Sequence, residues 1–200
     1  MRRLKRLFVA TLLLNAWTPL SAQSLRPDQV IFRDMFVELV NTDTSYSNGN
    51  CTLAAERMAK RMWAAGFSRQ EVRVIIPPGH EREGNLVAEL KGSSKKLKPI
   101  LLMGHLDVVE AKREDWNRDP FTLVEENGYF YGRGVADDKA RTAIWADSLI
   151  RYKQEGYKSK RTIKLAATCG EEGNSEVLNG AEWLAGNMPE TLSAEFALNE

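Results

Sequence analysis

The residues best suited to chemistry in this chain stand in four short segments. They are His105-Leu106-Asp107, the turn Gly132-Arg133-Gly134-Val135-Ala136-Asp137-Asp138-Lys139, the acidic pair Glu171-Glu172 between Gly170 and Gly173, and Asn199-Glu200. Side chains two apart on an extended segment point the same way, so the His105 imidazole and the Asp107 carboxylate can meet each other or share a cation. A carboxylate that accepts a proton from one ring nitrogen fixes the tautomer and leaves the other nitrogen free to ligate. Taken alone, such a pair reads first as a histidine satisfied at the end of a strand. In the glycine-punctuated turn, helix capping accounts for one of Asp137 and Asp138. Two glycines and a second carboxylate in the same turn suit instead a backbone that comes close to a site where one carboxylate reaches two cations.

Adjacent acids on a loop are ordinarily solvated surface charge. At a buried strand end they can divide their roles: one ligates a metal, while the other, held off it, takes a proton from bound water. Asn199-Glu200 closes a further strand and by itself says little.

Positioning these groups falls to an alternation of helices and strands. Pro27 suits the first turn of a helix whose Phe32, Met35, Phe36 and Leu39 recur at helical spacing. A second helix carries Ala55, Met58, Ala59 and Met62 and stops at Gly66. Strands are expected over Val72 to Ile76, Leu86 to Leu90, Ile100 to Met103, Tyr129 to Tyr131, Thr162 to Thr168 and Ala194 to Leu198. Residues 110–128 read as a polar surface excursion, with helices again from Lys139 to about Tyr152 and from Gly180 to Asn187. This order predicts an α/β fold, an α/β/α sandwich with a largely parallel mixed sheet. In such sheets reactive groups gather at the carboxyl ends of strands, which is where all four segments fall.

Bulk properties narrow the partners. With 28 basic against 27 acidic residues and no basic stripe interleaved with aromatics, nucleic acid is not expected as a partner. Residues 1–22 begin with Arg2, Arg3, Lys5 and Arg6, continue as an apolar run from Leu7 to Ala16 and close on Ser21-Ala22, the pattern of a cleaved signal peptide. A periplasmic or secreted protein is the expectation, with no membrane contact after cleavage. For Cys51 and Cys169 the sequence leaves a disulfide and two small buried thiols equally open. Neither has the CxxC spacing of a zinc site.

Together the segments resemble one family: the co-catalytic zinc peptidases and amidohydrolases of peptidase family M20, which include glutamate carboxypeptidase, aminoacylase, acetylornithine deacetylase and succinyl-diaminopimelate desuccinylase. The likeness is carried by Ile100 to Val109, by Gly132 to Lys139, by Trp116 with Asp119-Pro120-Phe121, by Glu171-Glu172 and by Leu198-Asn199-Glu200. It runs from about residue 28 to the last residue. The resemblance implies two Zn2+ ions, with His105 and Glu200 on one, Glu172 on the other and Asp137 bridging them. Asp107 then orients His105, and Glu171 acts as general base and afterwards as general acid. It also implies a cis peptide between Asp137 and Asp138. The expected substrate is a small peptide or an N-acyl amino acid.

Several features depart from that pattern. The family's fifth ligand, a downstream histidine, has no counterpart, since His80 sits in a Pro/Gly-rich loop and reads as an exposed residue. Residues 23–200 therefore read as the N-terminal part of a catalytic domain, without the lid domain through which relatives form homodimers, and as a fragment of low activity by itself. Cys169-Gly170 replaces the family's usual residues before the acids, a departure that, with Cys51, suits a subgroup in which the two cysteines are bonded. The alternative function is a non-catalytic binding or receptor-like member of the same fold. A mononuclear zinc deaminase is disfavoured, because that chemistry uses HxE with PCxxC.

Overall fold

The computed structural model describes residues 24–173 and 177–199. The expected leader, residues 1–22, and the expected ligand Glu200 lie outside them.

Helix α1 (Pro27–Val40) turns Met35, Phe36, Leu39 and Val40 inward. Helix α2 (Cys51–Ala64) begins one turn before the apolar spacing suggests, because the Asn50 side chain accepts the Leu53 N–H and caps it there. Gly66, at φ +99°, ends it in the left-handed conformation that favours glycine. The strands are β1 (Val72–Ile75), β2 (Asn85–Leu90), β3 (Ile100–His105), β4 (Val124–Glu126), β5 (Tyr129–Tyr131), β6 (Ile163–Thr168) and β7 (Phe196–Leu198). Helix α3 (Lys139–Gln154) precedes β6, and α4 (Gly180–Asn187) and the short α5 (Pro189–Leu192) follow it.

Five strands form one sheet in the order β1-β2-β6-β3-β7. β2 is antiparallel to β1 and β6, whereas β3 is parallel to β6 and β7, so β2 alone opposes the other four. Helices α1, α2 and α3 cover one face and bury Leu86, Ala88, Leu102, Leu165 and Ala167. On the other face, Val87, Leu101 and Ala166 pack with Leu184 of α4. All six residues of β6 are buried, as expected of a strand covered on both faces. The fold is thus the α/β/α sandwich expected. No helix among the described residues is long and apolar enough to cross a membrane.

Three elements differ from expectation, the short α5 among them. The excursion after residue 110 contains a 3-10 turn at Arg113–Asp115 and strand β4, which pairs antiparallel with β5. Asn127 (φ 53°) and Gly128 (φ 81°) form the tight turn between these strands, the backbone geometry that two-residue hairpins demand.

Candidate metal centre

Strand β3 ends on His105, and its register sets His105 beside Thr168 at the end of β6. The chain leaving β6 through Cys169 and Gly170 therefore delivers Glu171 and Glu172 directly to the histidine. His105 is 1% exposed. Its Nδ1 lies 3.0 Å from the backbone carbonyl oxygen of Asp107 and 3.5 Å from Asp107 Oδ1. The nearer acceptor is thus the carbonyl rather than the carboxylate expected from the sequence, and the effect on the ring is the same: a proton on Nδ1 leaves the Nε2 lone pair for a cation.

Around Nε2 gather three carboxylates. Asp137 Oδ1 is at 3.0 Å and Glu171 Oε2 at 3.8 Å. Ligand atoms of His105, Asp137 and Glu172 all lie within 4.8 Å of one another. The Asp137 side chain is 69% exposed and faces the open side of the cluster. Burial, together with the charges of Asp137, Asp107 and Glu171, pushes the Glu172 carboxyl above its ordinary value, and the His105 ring only partly offsets this. A nitrogen and several acidic oxygens converging this closely, with mutual repulsion that a cation would relieve, form a donor set that fits zinc.

Asp107 supports the cluster from below. Burial raises its pKa, but the hydrogen bond with His105 and the backbone N–H groups of Glu172 and Glu171 outweigh this and hold it below the ordinary value. The Glu172 N–H bond to Asp107 Oδ2 is 2.9 Å long.

Asp138 does not cap α3, contrary to the capping reading of that turn. It stands at the N-cap position, but its side chain makes no capping bond. Fully buried, it accepts the His105 backbone N–H at 3.2 Å and pairs with Arg141 at 3.2 Å, so that it secures the end of β3. The peptide between Asp137 and Asp138 is cis, as the resemblance implies. Gly104 lets this contact form: a Cβ there would stand 2.6 Å from Asp138 Oδ2 and 2.7 Å from Thr142 Oγ1. Thr142 Oγ1 in turn donates to the His105 carbonyl at 3.1 Å.

Three further residues escape the sequence reading. Lys139, fully buried, donates to the Thr42 carbonyl at 2.7 Å, and burial pulls its pKa to about 7 against the pull of Asp43 and Asp107. Asn85, also fully buried, accepts the Cys169 N–H at 2.9 Å. Thr142 is the third. Lys139 was in view as the last residue of the glycine-rich segment, but nothing local marks Asn85. Of the expected site residues, the structure brings together His105, Asp107, Asp137, Glu171 and Glu172. Cys51 and Cys169 are joined as a disulfide across 118 residues, and His80 bonds Glu83 in an exposed loop.

Comparisons with known proteins agree on one family. Residues 101–199 match the model of peptidase family M20/M25/M40. A probable succinyl-diaminopimelate desuccinylase of Staphylococcus aureus (strain Mu50 / ATCC 700699) is 39% identical over 121 residues, 60% of this chain and 28% of that protein. Aminoacylase-1 of Sus scrofa is 33% identical over 178 residues, 87% of this chain and 40% of that one. The chain thus spans well under half the length of these relatives. In fold, it is similar to an M20 family metallo-carboxypeptidase from Sulfolobus solfataricus, with a TM-score of 0.69 at 20% identity over 84% of this chain and 37% of the other.

Proposed function

The chain belongs, through its residues 101–199, to peptidase family M20/M25/M40, and from that premise we propose that the whole protein is an exported di-zinc hydrolase of peptide or N-acyl amide bonds. The observation that carries the reading is the convergence of His105, Asp137 and Glu172 within 4.8 Å at adjoining strand ends, with Glu171 beside them. In this reading His105 and Glu200 would hold one ion and Glu172 the other, with Asp137 serving both. A downstream histidine completes the set. When bound, such a pair of ions lowers the pKa of a shared water toward neutrality and polarises the scissile carbonyl.

Each protein group then has a distinct task. Asp107 and its own carbonyl keep the His105 proton on Nδ1, so that Nε2 faces the site in its basic form. Glu171, 48% exposed and 3.8 Å from Nε2, is near enough to take a proton from the attacking water and far enough to stay off the ligand set. It returns that proton to the leaving amine. The relatives named as a desuccinylase and an aminoacylase favour a small N-acyl amide beside a peptide as substrate. The basic-apolar leader favours a periplasmic or secreted location, and a lid domain outside this sequence would provide for dimerisation.

Elemental analysis of the full-length protein tests the centre, and a Glu171→Gln variant tests the base. Expected are about two zinc per chain in both proteins, and a loss of turnover of about a hundredfold or more in the variant. Absence of bound metal overturns the reading, and undiminished turnover removes Glu171 from the mechanism.

A further inference from the structure

The Cys51–Cys169 disulfide lies against the proposed centre. Cys51 opens α2, whose Ala54, Ala55, Met58, Ala59 and Met62 are packed in the core. Cys169 follows the last residue of β6 and precedes Gly170-Glu171-Glu172 by no spacer at all. Both cysteines are buried, at 2% and 5% exposure. Their sulfur atoms and a carboxylate oxygen of Asp107 lie within 4.8 Å of one another, and the bond lines a cavity of about 320 Å³ together with Asp107, Val108 and Glu172.

Among the described residues, backbone hydrogen bonds anchor the turn beside it. The Cys169 N–H bonds Asn85 Oδ1, the Cys169 carbonyl accepts from Gly180 N–H at 2.7 Å, and the Glu172 N–H bonds Asp107. Gly170, at φ +88°, passes so near Leu178 that a Cβ would collide with its carbonyl oxygen. A thiol is a weak hydrogen-bond donor, whereas a disulfide sulfur carries no proton. Joined, Cys51 and Cys169 leave the Asp107 carboxylate to His105 and to the backbone N–H groups of Glu171 and Glu172. Separated, they would present two S–H donors to that same carboxylate and free the strand end from α2.

We infer that the Cys51–Cys169 disulfide is a positioning element of the metal centre: it holds the Glu171–Glu172 turn over Asp107 and keeps competing donors away from the carboxylate that orients His105. The inference rests on the metal-centre reading above. Opening the bond with a dithiol takes up two electrons and two protons, which the reductant supplies as it closes to its own disulfide.

The test compares the full-length protein in four forms: oxidised; reduced by a dithiol that is then removed anaerobically; as the double variant Cys51→Ala/Cys169→Ala; and as the double variant Cys51→Ser/Cys169→Ser. Zinc affinity is measured by competition with a chromophoric chelator, beside turnover, the pH–rate profile and the thermal midpoint. Expected is a fall of about ten- to a hundredfold in affinity for the weaker zinc on reduction, of the size seen when groups behind a ligand are lost, reversed on reoxidation. The serine pair, which offers donors to Asp107, should bind zinc more weakly than the alanine pair at a similar thermal midpoint, a difference that loss of a cross-link alone does not produce. Should the alanine pair fail to fold, the reversible reduction of the native protein decides. Equal zinc affinity and turnover in the oxidised and reduced proteins overturn the positioning role alone. An oxidised protein that binds no zinc overturns the metal centre, and the positioning role with it.

Discussion

Glu172 gives its backbone N–H to the carboxylate of Asp107 at 2.9 Å, so the turn that carries two acids is fastened to the residue behind the histidine. One carboxylate thereby sets the position of groups on two strands, the ends of β3 and β6.

Replacing Asp107 by Asn preserves an acceptor for that N–H and removes the charge behind His105. Metal affinity in the full-length protein should fall about ten- to a hundredfold, with the thermal midpoint close to the parent's. Chelator competition and a melting curve report the two separately. Retained affinity would show that the Asp107 carbonyl alone suffices to orient the ring.

Gly104→Ala tests the close approach of Asp138 and Thr142. The added Cβ meets Asp138 Oδ2 at 2.6 Å and Thr142 Oγ1 at 2.7 Å, and both belong to a buried network around His105. Urea denaturation should show a loss of about 1–3 kcal/mol, typical of an overfilled core, together with a larger proportional loss of turnover. Stability equal to the parent's would mean that the network yields freely.

For Asn85→Ala, the buried Cys169 N–H loses its acceptor, and the loss should be about 1–3 kcal/mol in the same measurement. Amide exchange should rise first at Cys169. Exchange that rises uniformly over the sheet instead would argue against a local effect at this strand end.

Acidification should weaken the clasp between β1 and α3. Glu71 accepts from Lys153 Nζ at 2.9 Å and from the Ser68 N–H; burial raises its pKa, but these bonds outweigh burial and hold it below its ordinary 4.5. Between the two values the unfolded chain binds the proton more readily, so the contribution is complete above pH 4.5 and is lost as the pH falls through the lowered value. Glu71→Gln should flatten the stability profile on the acid side, by no more than about 1 kcal/mol for a single surface-proximal pair. Denaturation midpoints at pH 6 and pH 3.5, compared between parent and variant, measure it.

The sheet and its helices were legible because their signals are local. Ile100 to Met103 is apolar throughout and Thr162 to Thr168 is β-rich, whereas α3 repeats its alanines at helical spacing. β4 was not, since Val124-Glu125-Glu126 has one apolar residue, although the Asn127-Gly128 turn after it is a hairpin signal that could have been used. In the site, the HxD at a strand end, the glycine-punctuated turn and the paired acids drew attention to His105, Asp107, Asp137, Glu171 and Glu172, but taken singly each had an ordinary reading, and it was the resemblance to a family that joined them into one set. For Asp137 and Asp138 the turn allowed one cap without saying which, and neither role of Asp138 could be read locally, since its carboxylate meets the His105 backbone only where Gly104 of β3 comes close. Asn85 stayed hidden and the disulfide undecided for the same reason: their partners are 84 and 118 residues away.

At the far edge, β7 is bonded to β3 on one side and, among the described residues, to nothing on the other; Phe196 and Leu198 are 50% and 45% exposed. A row of free backbone donors and acceptors flanked by bare apolar side chains is a template for another extended segment. At high concentration two such β7 edges will therefore tend to stack against each other.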